Sequence, residues 1–559
     1  MKQPQHFRAT LRAQGRLLMV RIFALMTSRN VTRALVIVAG FHAAVAVAGE
    51  RWRGTVDYAR ADQAIAAVYA RIDFEKDGKS TLNIAQIGVR DASLRDVRRS
   101  ASQLSFNFTY QGRIAAVAAT RDGDHLSGTW EVNGVARPLR FERVQADADA
   151  AWTRSWGGLY EDEDGGAVLL TPASWVLTAH DLSTRQVTTF FPRSRDALFA
   201  GPGYLDPAPE TARMRLKETT STRGIELDWQ GRQRVLKPST RIIAEPVRFA
   251  SGDVALAGLV IRPASSSKPV PGVVVMPGSG RQTRFGQYGL PHHRAVTLAR
   301  SGMAALIFDK RGTGESTGRY EDLKLATMTA DAAAAANFLA AHTGVDRNRV
   351  GLLVHSQSGI YAPSTVRLAP HLAFVAALST TVVNGEIQEV MRTEMQMRAD
   401  GWPQGDIDDA VATQILKFHY ANHRIGWDAY VAAYHRVAKR DWFPDIIGST
   451  IDPNRHSWDF WRDGNRYDPA EEWKKVNIPV LAIWAEHDTI SPVTLSAKAL
   501  AGAFPGERAA LLKVIIKPGL DHNLFESKTG GTLEENRVQR MSSYMDHVLD
   551  WLKERGVLP

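Results

Sequence analysis

Three polar residues in the second half of the sequence each follow a short apolar run that is typical of a buried strand: Ser356, Asp488 and His522. The runs cover residues 350–354, 480–484 and 511–516. A serine activated by a histidine, with an aspartate orienting the ring, performs nucleophilic acyl transfer. The order serine, aspartate, histidine also fits a nucleophile held on a strand-to-helix turn. We therefore predict Ser356 as nucleophile, Asp488 as acid and His522 as base.

The segment around Ser356 favours a sharp turn from a strand into a helix, because that turn needs small residues beside the nucleophile. Ser358 meets this requirement on the downstream side, whereas Val354 stands where glycine is usual. Ser358 is also the alternative nucleophile, although it lies further into the predicted helix. The alternative acids and base near the other two positions are Glu486, Asp521 and His487.

A glycine-containing loop, residues 277–280, follows another apolar run at 273–276. Backbone N–H groups in such a loop stabilise the negative oxygen of a tetrahedral intermediate. We assign this oxyanion-hole role to the N–H groups of Ser279 and Gln357. The loop lacks the Gly-x-Gly-x-x-Gly spacing of a dinucleotide site, and the chain has no cysteine to form a thiolate metal site. We predict neither a cofactor nor a metal.

The elements that must position these residues lie between about residue 240 and residue 559. Apolar runs alternate there with helical patterns, which predicts a mostly parallel sheet with helices on both faces. Between about 384 and 468 a helical, aromatic-rich stretch interrupts the alternation and predicts a cap insertion. The cap is expected to shape an apolar substrate pocket, with simple helix packing as the alternative. Its aromatic residues include Phe418, Tyr420, Trp427, Tyr430, Tyr434, Trp442 and Phe443.

The front half of the chain has a different pattern, with short alternating runs separated by turn residues. Residues 104–110 and 126–132 alternate apolar and polar side chains, which is the period of a half-buried strand. We predict a β-rich domain over residues 49–145, a linker over 145–155 and a second β-rich unit over 156–239. The sequence does not indicate what these units do.

Composition is that of a globular protein: 44% of the 559 residues are hydrophobic and 23% are charged. The net charge is +10, but residues 1–48 hold seven basic residues and no acid. The remaining 62 basic and 59 acidic residues leave a net charge of +3. A nearly neutral body lacks the electrostatic footprint of a nucleic-acid-binding protein.

Residues 1–48 resemble an export signal, since basic residues precede an apolar run at 34–48 that ends in Ala-Val-Ala. A run of about 15 apolar residues is too short to cross a bilayer. Cleavage after Ala48 would also remove this run, so we expect no stable membrane span in the mature chain. Translation starting at Met26 would give a leader of more usual length. An uncleaved anchor or a buried helix is the alternative. We expect a periplasmic or extracellular protein.

The segments around Ser356, Asp488 and His522 resemble motifs of the α/β-hydrolase family, most closely its serine-aminopeptidase-like and acyl-hydrolase (esterase) branches. Residues 276–280 are similar to the family's oxyanion loop, and residues 308–318 resemble its Asp-x-Arg-Gly-x-Gly-x-Ser segment. That segment builds a turn near the active site, which implies structural roles for Asp309 and Arg311. The resemblance covers about residues 240–559 and implies the fold and the triad rather than the substrate.

The resemblance implies a metal-independent serine hydrolase that acts through an acyl-enzyme on a small-molecule substrate. The aromatic cap favours a carboxylic ester with an apolar part. A serine aminopeptidase is the alternative, and it would need an acid such as Glu386, Glu389 or Glu394 to hold the substrate's ammonium group. A binding protein on a degenerate hydrolase scaffold is a third hypothesis, supported only by Val354.

Overall fold

The computed structural model describes most of the chain from residue 50 onwards. The described residues are 50–58, 66–75, 79–84, 89–110, 113–132, 134–144, 150–173, 175–219, 223–440, 442–448, 452–453, 457–532 and 539–559. The predicted leader, residues 1–48, lies outside them. Within these ranges no helix has both the length and the apolar character needed to cross a membrane.

The first sheet is antiparallel and lies in the region predicted to be β-rich. Its strands run in the order β4-β3-β2-β1-β9-β8-β7-β6-β5. Alternate side chains point inward to an aromatic core that includes Trp52, Phe106, Phe108, Trp130 and Phe141. The strands are β1 (Glu50–Tyr58), β2 (Ala66–Phe74), β3 (Ser80–Ile84), β4 (Val89–Ser93), β5 (Arg95–Arg99), β6 (Gln103–Tyr110), β7 (Arg113–Asp122), β8 (His125–Val132) and β9 (Val135–Val144).

The second β-rich unit is a closed antiparallel barrel. The order β12-β11-β10-β17-β16-β15-β14-β13 is closed by pairing of β12 with β13. Its strands are β10 (Gly158–Glu161), β11 (Ala167–Ala173), β12 (Val176–Asp181), β13 (Gln186–Pro192), β14 (Ala197–Ala200), β15 (Ala212–Glu218), β16 (Arg223–Trp229) and β17 (Arg232–Pro238). The segment predicted as a linker, residues 145–155, overlaps helix α1 (Ala150–Trp156), whose last residue Trp156 packs in the barrel's core.

The third sheet is mixed and mostly parallel, as predicted. Its order is β18-β19-β21-β20-β22-β23-β24-β25, and β19 pairs antiparallel with both of its neighbours. The strands are β18 (Ile242–Ser251), β19 (Val254–Pro263), β20 (Val270–Val275), β21 (Ala304–Phe308), β22 (Val345–His355), β23 (Phe374–Leu378), β24 (Val480–Ala485) and β25 (Leu512–Lys517). Two strands, β18 and β19, precede the apolar run at 273–276 in the sheet. Much of β18 is exposed, so it lacks the continuous apolar run used to recognise buried strands.

Helices cover both faces of this sheet, so the predicted fold class is confirmed. They are α2 (Leu290–Arg300), α3 (Leu325–Ala341), α4 (Ser358–Leu368), α11 (Val493–Gly502) and α12 (Tyr544–Glu554), with the inserted helices numbered between them. Apolar side chains of α3 and α4 pack on one face, and those of α2 and α12 pack on the other. The carboxyl ends of β22, β24 and β25 therefore meet at one edge of a rigid layer.

The insertion between β23 and β24 is helical, as predicted. It contains α5 (Gly385–Ala399), α6 (Gln404–Ala421), α7 (Trp427–Val437), α8 (Phe443–Ile446), α9 (Ser457–Arg466) and α10 (Pro469–Trp473). Its aromatic residues mostly pack against one another in a separate core; Tyr420, for example, contacts the rings of Trp427, Tyr430 and Trp458. The periodic spacing of the aromatic residues therefore reflects packing between the insertion's own helices.

The barrel contacts the domain of the third sheet at several places, of which two involve strand pairing and ring stacking. A short strand, β26 (Gln539–Arg540), pairs antiparallel with β13 through Gln186 and Val187. Beside it, His180 of β12 stacks on His293 of α2 with ring centroids 5.2 Å apart, and burial lowers the pKa of His180 to about 4. A neutral imidazole stack thus forms part of the contact between the barrel and the catalytic layer.

Candidate active site

The turn between β22 and α4 holds Ser356 in a strained conformation. Its φ angle is +57°, in the left-handed region that non-glycine residues rarely adopt. The Ser356 N–H donates to the carbonyl of Leu378 on β23 at 3.1 Å, and the hydroxyl of Thr380 donates to the Ser356 carbonyl at 3.1 Å. Hydrogen bonds on both sides of the residue therefore stabilise this strained turn.

The glycine that this turn requires stands at 359 rather than at 354. A Cβ atom on Gly359 would overlap the side chain of Thr380, so only glycine fits there. Val354 is still within the strand and pairs with the small Ala377, which leaves room for a branched side chain. The valine at 354 is therefore compatible with an intact turn.

The structure brings the three predicted triad residues together. The Nε2 atom of His522 lies 2.9 Å from the Oγ atom of Ser356. Its Nδ1 atom lies 2.9 Å from both carboxylate oxygens of Asp488, whose side chain is fully buried. Asp488 also accepts the backbone N–H groups of Ile490 at 2.8 Å and Ser491 at 2.7 Å. A carboxylate held in this way keeps the proton on Nδ1 and leaves Nε2 free to accept the serine proton.

The alternative residues take no part in the hydrogen bonds that connect Asp488, His522 and Ser356. The Ser358 hydroxyl is fully buried and bonds to the backbone N–H of His355 at 2.8 Å and to its carbonyl at 2.9 Å. Glu486 is exposed and accepts from the N–H of Gly519 at 3.0 Å. Asp521 accepts N–H groups from its own loop, and burial raises its pKa to about 6. His487 likewise has no hydrogen bond to Ser356 or Asp488 in the described structure.

The residues predicted for the oxyanion hole flank the serine. Ser279 lines the same cavity as Ser356, and Gln357 occupies the N-terminal cap of α4. The neighbouring N–H of Gly278 is already bonded to the side chain of Gln282 at 3.0 Å. An N–H at a helix N-terminus also carries the positive end of the helix dipole, which suits a developing oxyanion.

Lys310, which the sequence analysis missed, ties these two segments together. Its Nζ atom donates to the carbonyl of Gly280 at 3.2 Å and to the side-chain oxygen of Gln357 at 3.0 Å. Only 4% of the residue is exposed, and burial lowers its pKa to about 7. The lysine thus bridges the loop that carries Ser279 and the residue that supplies the other N–H group.

We expect Lys310→Met to change how stability depends on pH. Between pH 7 and 10.5 the unfolded lysine stays protonated while the folded one loses its proton. The unfolded state then binds more protons, so the wild-type free energy of unfolding should rise with pH across this window. Urea unfolding at a series of pH values should show that rise only in the wild type. The exposed Lys268→Met variant should keep it, and parallel curves for wild type and Lys310→Met would contradict the assignment.

The two residues given structural roles by resemblance are both held in buried ion pairs. Asp309 binds the guanidinium of Arg284 at 2.6 Å and the backbone N–H of Glu315 at 2.9 Å. Arg311 binds Asp331 of α3 through two hydrogen bonds of 2.6 and 2.9 Å. These contacts fix the turn after β21 against the loop before α2.

The serine opens into a cavity of about 740 Å³ whose walls present both polar and apolar surface. Among its lining residues only Met276, Leu290, Pro291 and Ile490 have apolar side chains. Among the insertion's described residues, Gln396 of α5 lines the cavity and none of the aromatic side chains does. The expected apolar pocket is therefore wrong, because those aromatic side chains are used in the insertion's own core.

The barrel supplies part of the cavity wall. Gln186 of β13 lines the cavity together with Gln539 and Arg540 of β26. Because β13 and β26 pair with each other, this pairing fixes one side of the cavity. Sequence reasoning gave the β-rich units no role here, because this pairing joins distant parts of the chain.

The three glutamates proposed to bind a substrate's ammonium group form ion pairs within the insertion. Three ion pairs hold them at 2.9 Å, Glu386 with Arg424, Glu389 with Arg392 and Glu394 with Arg398. None of the three acids lines the cavity in the described structure, whereas Asp521 and Glu526 do. Across the described residues no group of three histidine, aspartate or glutamate side chains has the arrangement of a metal site.

Residues 251–518 match the family model described as X-Pro dipeptidyl-peptidase (S15 family). No curated protein matches the sequence. The match spans the strand-to-helix turn and Asp488 and ends just before His522.

Several solved structures are similar to this chain. Acetyl xylan esterase 1 from Thermoanaerobacterium is 14% identical over 61% of this chain and 87% of its own, with a TM-score of 0.33. The esterase Est1E from Butyrivibrio proteoclasticus, with bound ferulic acid, is 14% identical over 56% and 98%, with a TM-score of 0.35. Proline iminopeptidase from Mycobacterium smegmatis is 15% identical over 56% and 98%, with a TM-score of 0.34.

The turn at Ser356 and most strands of the third sheet lie within the residues that the family model matches. The family match supports a serine hydrolase and leaves the choice between ester and peptide substrates open. The C-terminal part of the chain has the α/β-hydrolase fold, and a β-rich region precedes it.

Proposed function

We propose that this protein is an exported serine hydrolase that cleaves a carboxylic ester through an acyl-enzyme. The observation that carries the proposal is the unbroken hydrogen-bond line from Asp488 through His522 to Ser356, with 2.9 Å at each step, opening into a cavity. The apolar run at 34–48 behind basic residues supports export.

In the proposed reaction the Ser356 Oγ attacks the ester carbonyl while His522 Nε2 takes the hydroxyl proton. The carbonyl oxygen becomes an oxyanion, which the N–H groups of Ser279 and Gln357 stabilise. The tetrahedral adduct then breaks its bond to the alcohol oxygen, and His522 returns the proton to that leaving group. A water molecule, deprotonated by His522, attacks the acyl-enzyme and releases the acid and the free serine.

The cavity wall narrows the substrate class. A wall with few apolar side chains is less suited to a long acyl chain or a large apolar alcohol than a predominantly apolar pocket would be. It offers many hydrogen-bonding groups instead, including Gln186, Gln282 and Asn523. We therefore propose a short ester with polar substituents in place of the apolar ester expected from the aromatic insertion.

A peptidase of the same fold is the second candidate, because the matched family model is that of an X-Pro dipeptidyl-peptidase. The same triad would cleave an amide, with His522 protonating the departing nitrogen. A peptidase that binds a free N-terminus needs a carboxylate near the nucleophile. Glu526 lines the cavity and is half-exposed, which makes it the acid we propose for that role.

The purified protein and its Ser356→Ala variant should be assayed against acetyl and hydroxyacyl esters and against alanyl-prolyl anilide. The proposal predicts ester turnover in the wild type and none above background in the variant. Anilide turnover that exceeds ester turnover by an order of magnitude would instead favour the peptidase. Absence of turnover together with absence of fluorophosphonate labelling would leave the binding-protein hypothesis.

A further inference from the structure

A buried arginine without a carboxylate partner lines the active-site cavity. Arg294 lies on α2, and only 1% of it is exposed. Its Nε donates to the hydroxyl of Tyr544 at 2.9 Å. Its Nη2 is buried and has no hydrogen-bond partner among the described residues, which also place no acid within ion-pair distance of it. A buried charge is costly unless it is paired, so this guanidinium is a feature that needs a partner.

Arg294 shares its cavity with the predicted nucleophile. The wall of this cavity includes both Arg294 and His355. His355 immediately precedes Ser356, and its ring lies 5.1 Å from that of His522, centroid to centroid. Arg294 and Ser356 line the same cavity. A group bound to Arg294 would therefore lie in the same cavity as a carbonyl that reaches the serine.

The contacts of Arg294 within the protein leave capacity for a ligand. A guanidinium has five N–H donors, and Tyr544 accepts one of them and faces the cation with its ring centroid 5.6 Å away. Another arginine of the cavity wall, by contrast, has an acid beside it: Arg540 lies 3.8 Å from Glu526. The first turn of α2 also borders the cavity with Leu290 and Pro291, so its positive dipole end faces the same space.

We propose that Arg294 binds a free carboxylate of the substrate, so that the natural substrate is a half-ester or another acyl compound that carries one negative charge. The planar guanidinium matches a carboxylate in geometry and supplies one positive charge for one negative charge. This inference rests on the proposed hydrolase function for the identity of the scissile bond. The anion site itself stands on the contacts of Arg294.

The test measures binding in a protein that cannot turn its ligand over. Calorimetry on Ser356→Ala should show that monomethyl glutarate binds about tenfold or more tightly than neutral dimethyl glutarate, the range of a charge-assisted hydrogen bond. Adding Arg294→Met should abolish this preference, and Arg294→Lys should retain part of it. Equal affinities in Ser356→Ala, or a preference that survives Arg294→Met, would overturn the proposal.

Two controls separate this site from a structural role and from the proposed reaction. Tyr544→Phe removes the protein's hydrogen bond to Arg294 but keeps the cation, so the preference for monomethyl glutarate should persist. A comparison of alanyl-proline with its amide shows whether the site also binds a peptide carboxylate. Inorganic phosphate that binds more tightly than monomethyl glutarate would contradict a carboxylate site. Since the binding assay needs no turnover, an inactive wild-type enzyme would refute the hydrolase and not the anion site.

Discussion

Replacement of Ser356 by alanine is expected to lower kcat by about 10⁶-fold, which is the loss seen when the nucleophile of a serine triad is removed. The reason is that Ser356 Oγ is the atom 2.9 Å from the imidazole nitrogen of His522 and opens into the cavity. Substrate affinity should change little, because the cavity wall is intact. Steady-state kinetics with the best ester, together with loss of fluorophosphonate labelling, gives the measurement.

Ser358→Ala is the matched control for this prediction. Its hydroxyl bonds only to the backbone of His355 in the described structure and is completely buried. Its removal should therefore cost about 1–3 kcal/mol of stability, because it leaves a buried N–H unsatisfied. Labelling at Ser356 should persist. An inactive, unlabelled Ser358→Ala variant that is folded, beside an active Ser356→Ala variant, would reverse the assignment of the nucleophile.

Asp488→Asn is expected to lower kcat by about 10⁴-fold with little change in the fold. The side-chain oxygen of the asparagine would stay toward the backbone N–H groups of Ile490 and Ser491, so the amide nitrogen would face His522. The imidazole would then accept at Nδ1 and carry its proton on Nε2. In that tautomer it cannot take the proton of Ser356. Kinetics beside a thermal melt that matches the wild type would separate this effect from unfolding.

Glu486→Gln is the control for the aspartate. Glu486 lies two residues away and is exposed, and its carboxylate accepts a hydrogen bond from Gly519. A glutamine oxygen can accept the same bond, so turnover should stay within a few-fold of the wild type. A loss in Glu486→Gln comparable to that in Asp488→Asn would mean that the wrong acid has been assigned.

The positions of Ser356, Asp488 and His522 after apolar runs could be read from the sequence because each depends on a local pattern. A buried parallel strand is a continuous apolar run, and the loop at its carboxyl end is defined by where the run stops. The order of the runs then places the three loops at one edge of the sheet. The structure brings these side chains within hydrogen-bond distance.

Lys310 and Arg294 could not be recognised in the same way. Arg294 stands in a helix with other basic residues, and a lysine beside an arginine in a turn is ordinary. What distinguishes them is burial without a carboxylate, which depends on side chains far away in the chain. Arg294 meets Tyr544, 250 positions later, and Lys310 meets Gln357, 47 positions later. Local periodicity contains no information about such contacts.

The aromatic insertion also shows what sequence periodicity does not predict. A helical stripe of aromatic residues predicts a buried face but does not say what covers it. In the insertion Tyr430, Tyr434 and Phe443 cover one another, so the face that was expected to receive substrate is occupied. The cavity is left to polar residues from the barrel and the sheet's loops.

The pairing of β13 with β26 has a consequence for how the enzyme fails. It links residues more than 350 positions apart, as in the contact of Arg540 with Thr184, so forming it closes a very long loop at an entropic cost. Local loss of this pairing would release β26 from the barrel while the central sheet stays folded. Damage to the barrel should therefore appear first as a fraction of molecules with an open, water-filled active site, well before the chain unfolds as a whole.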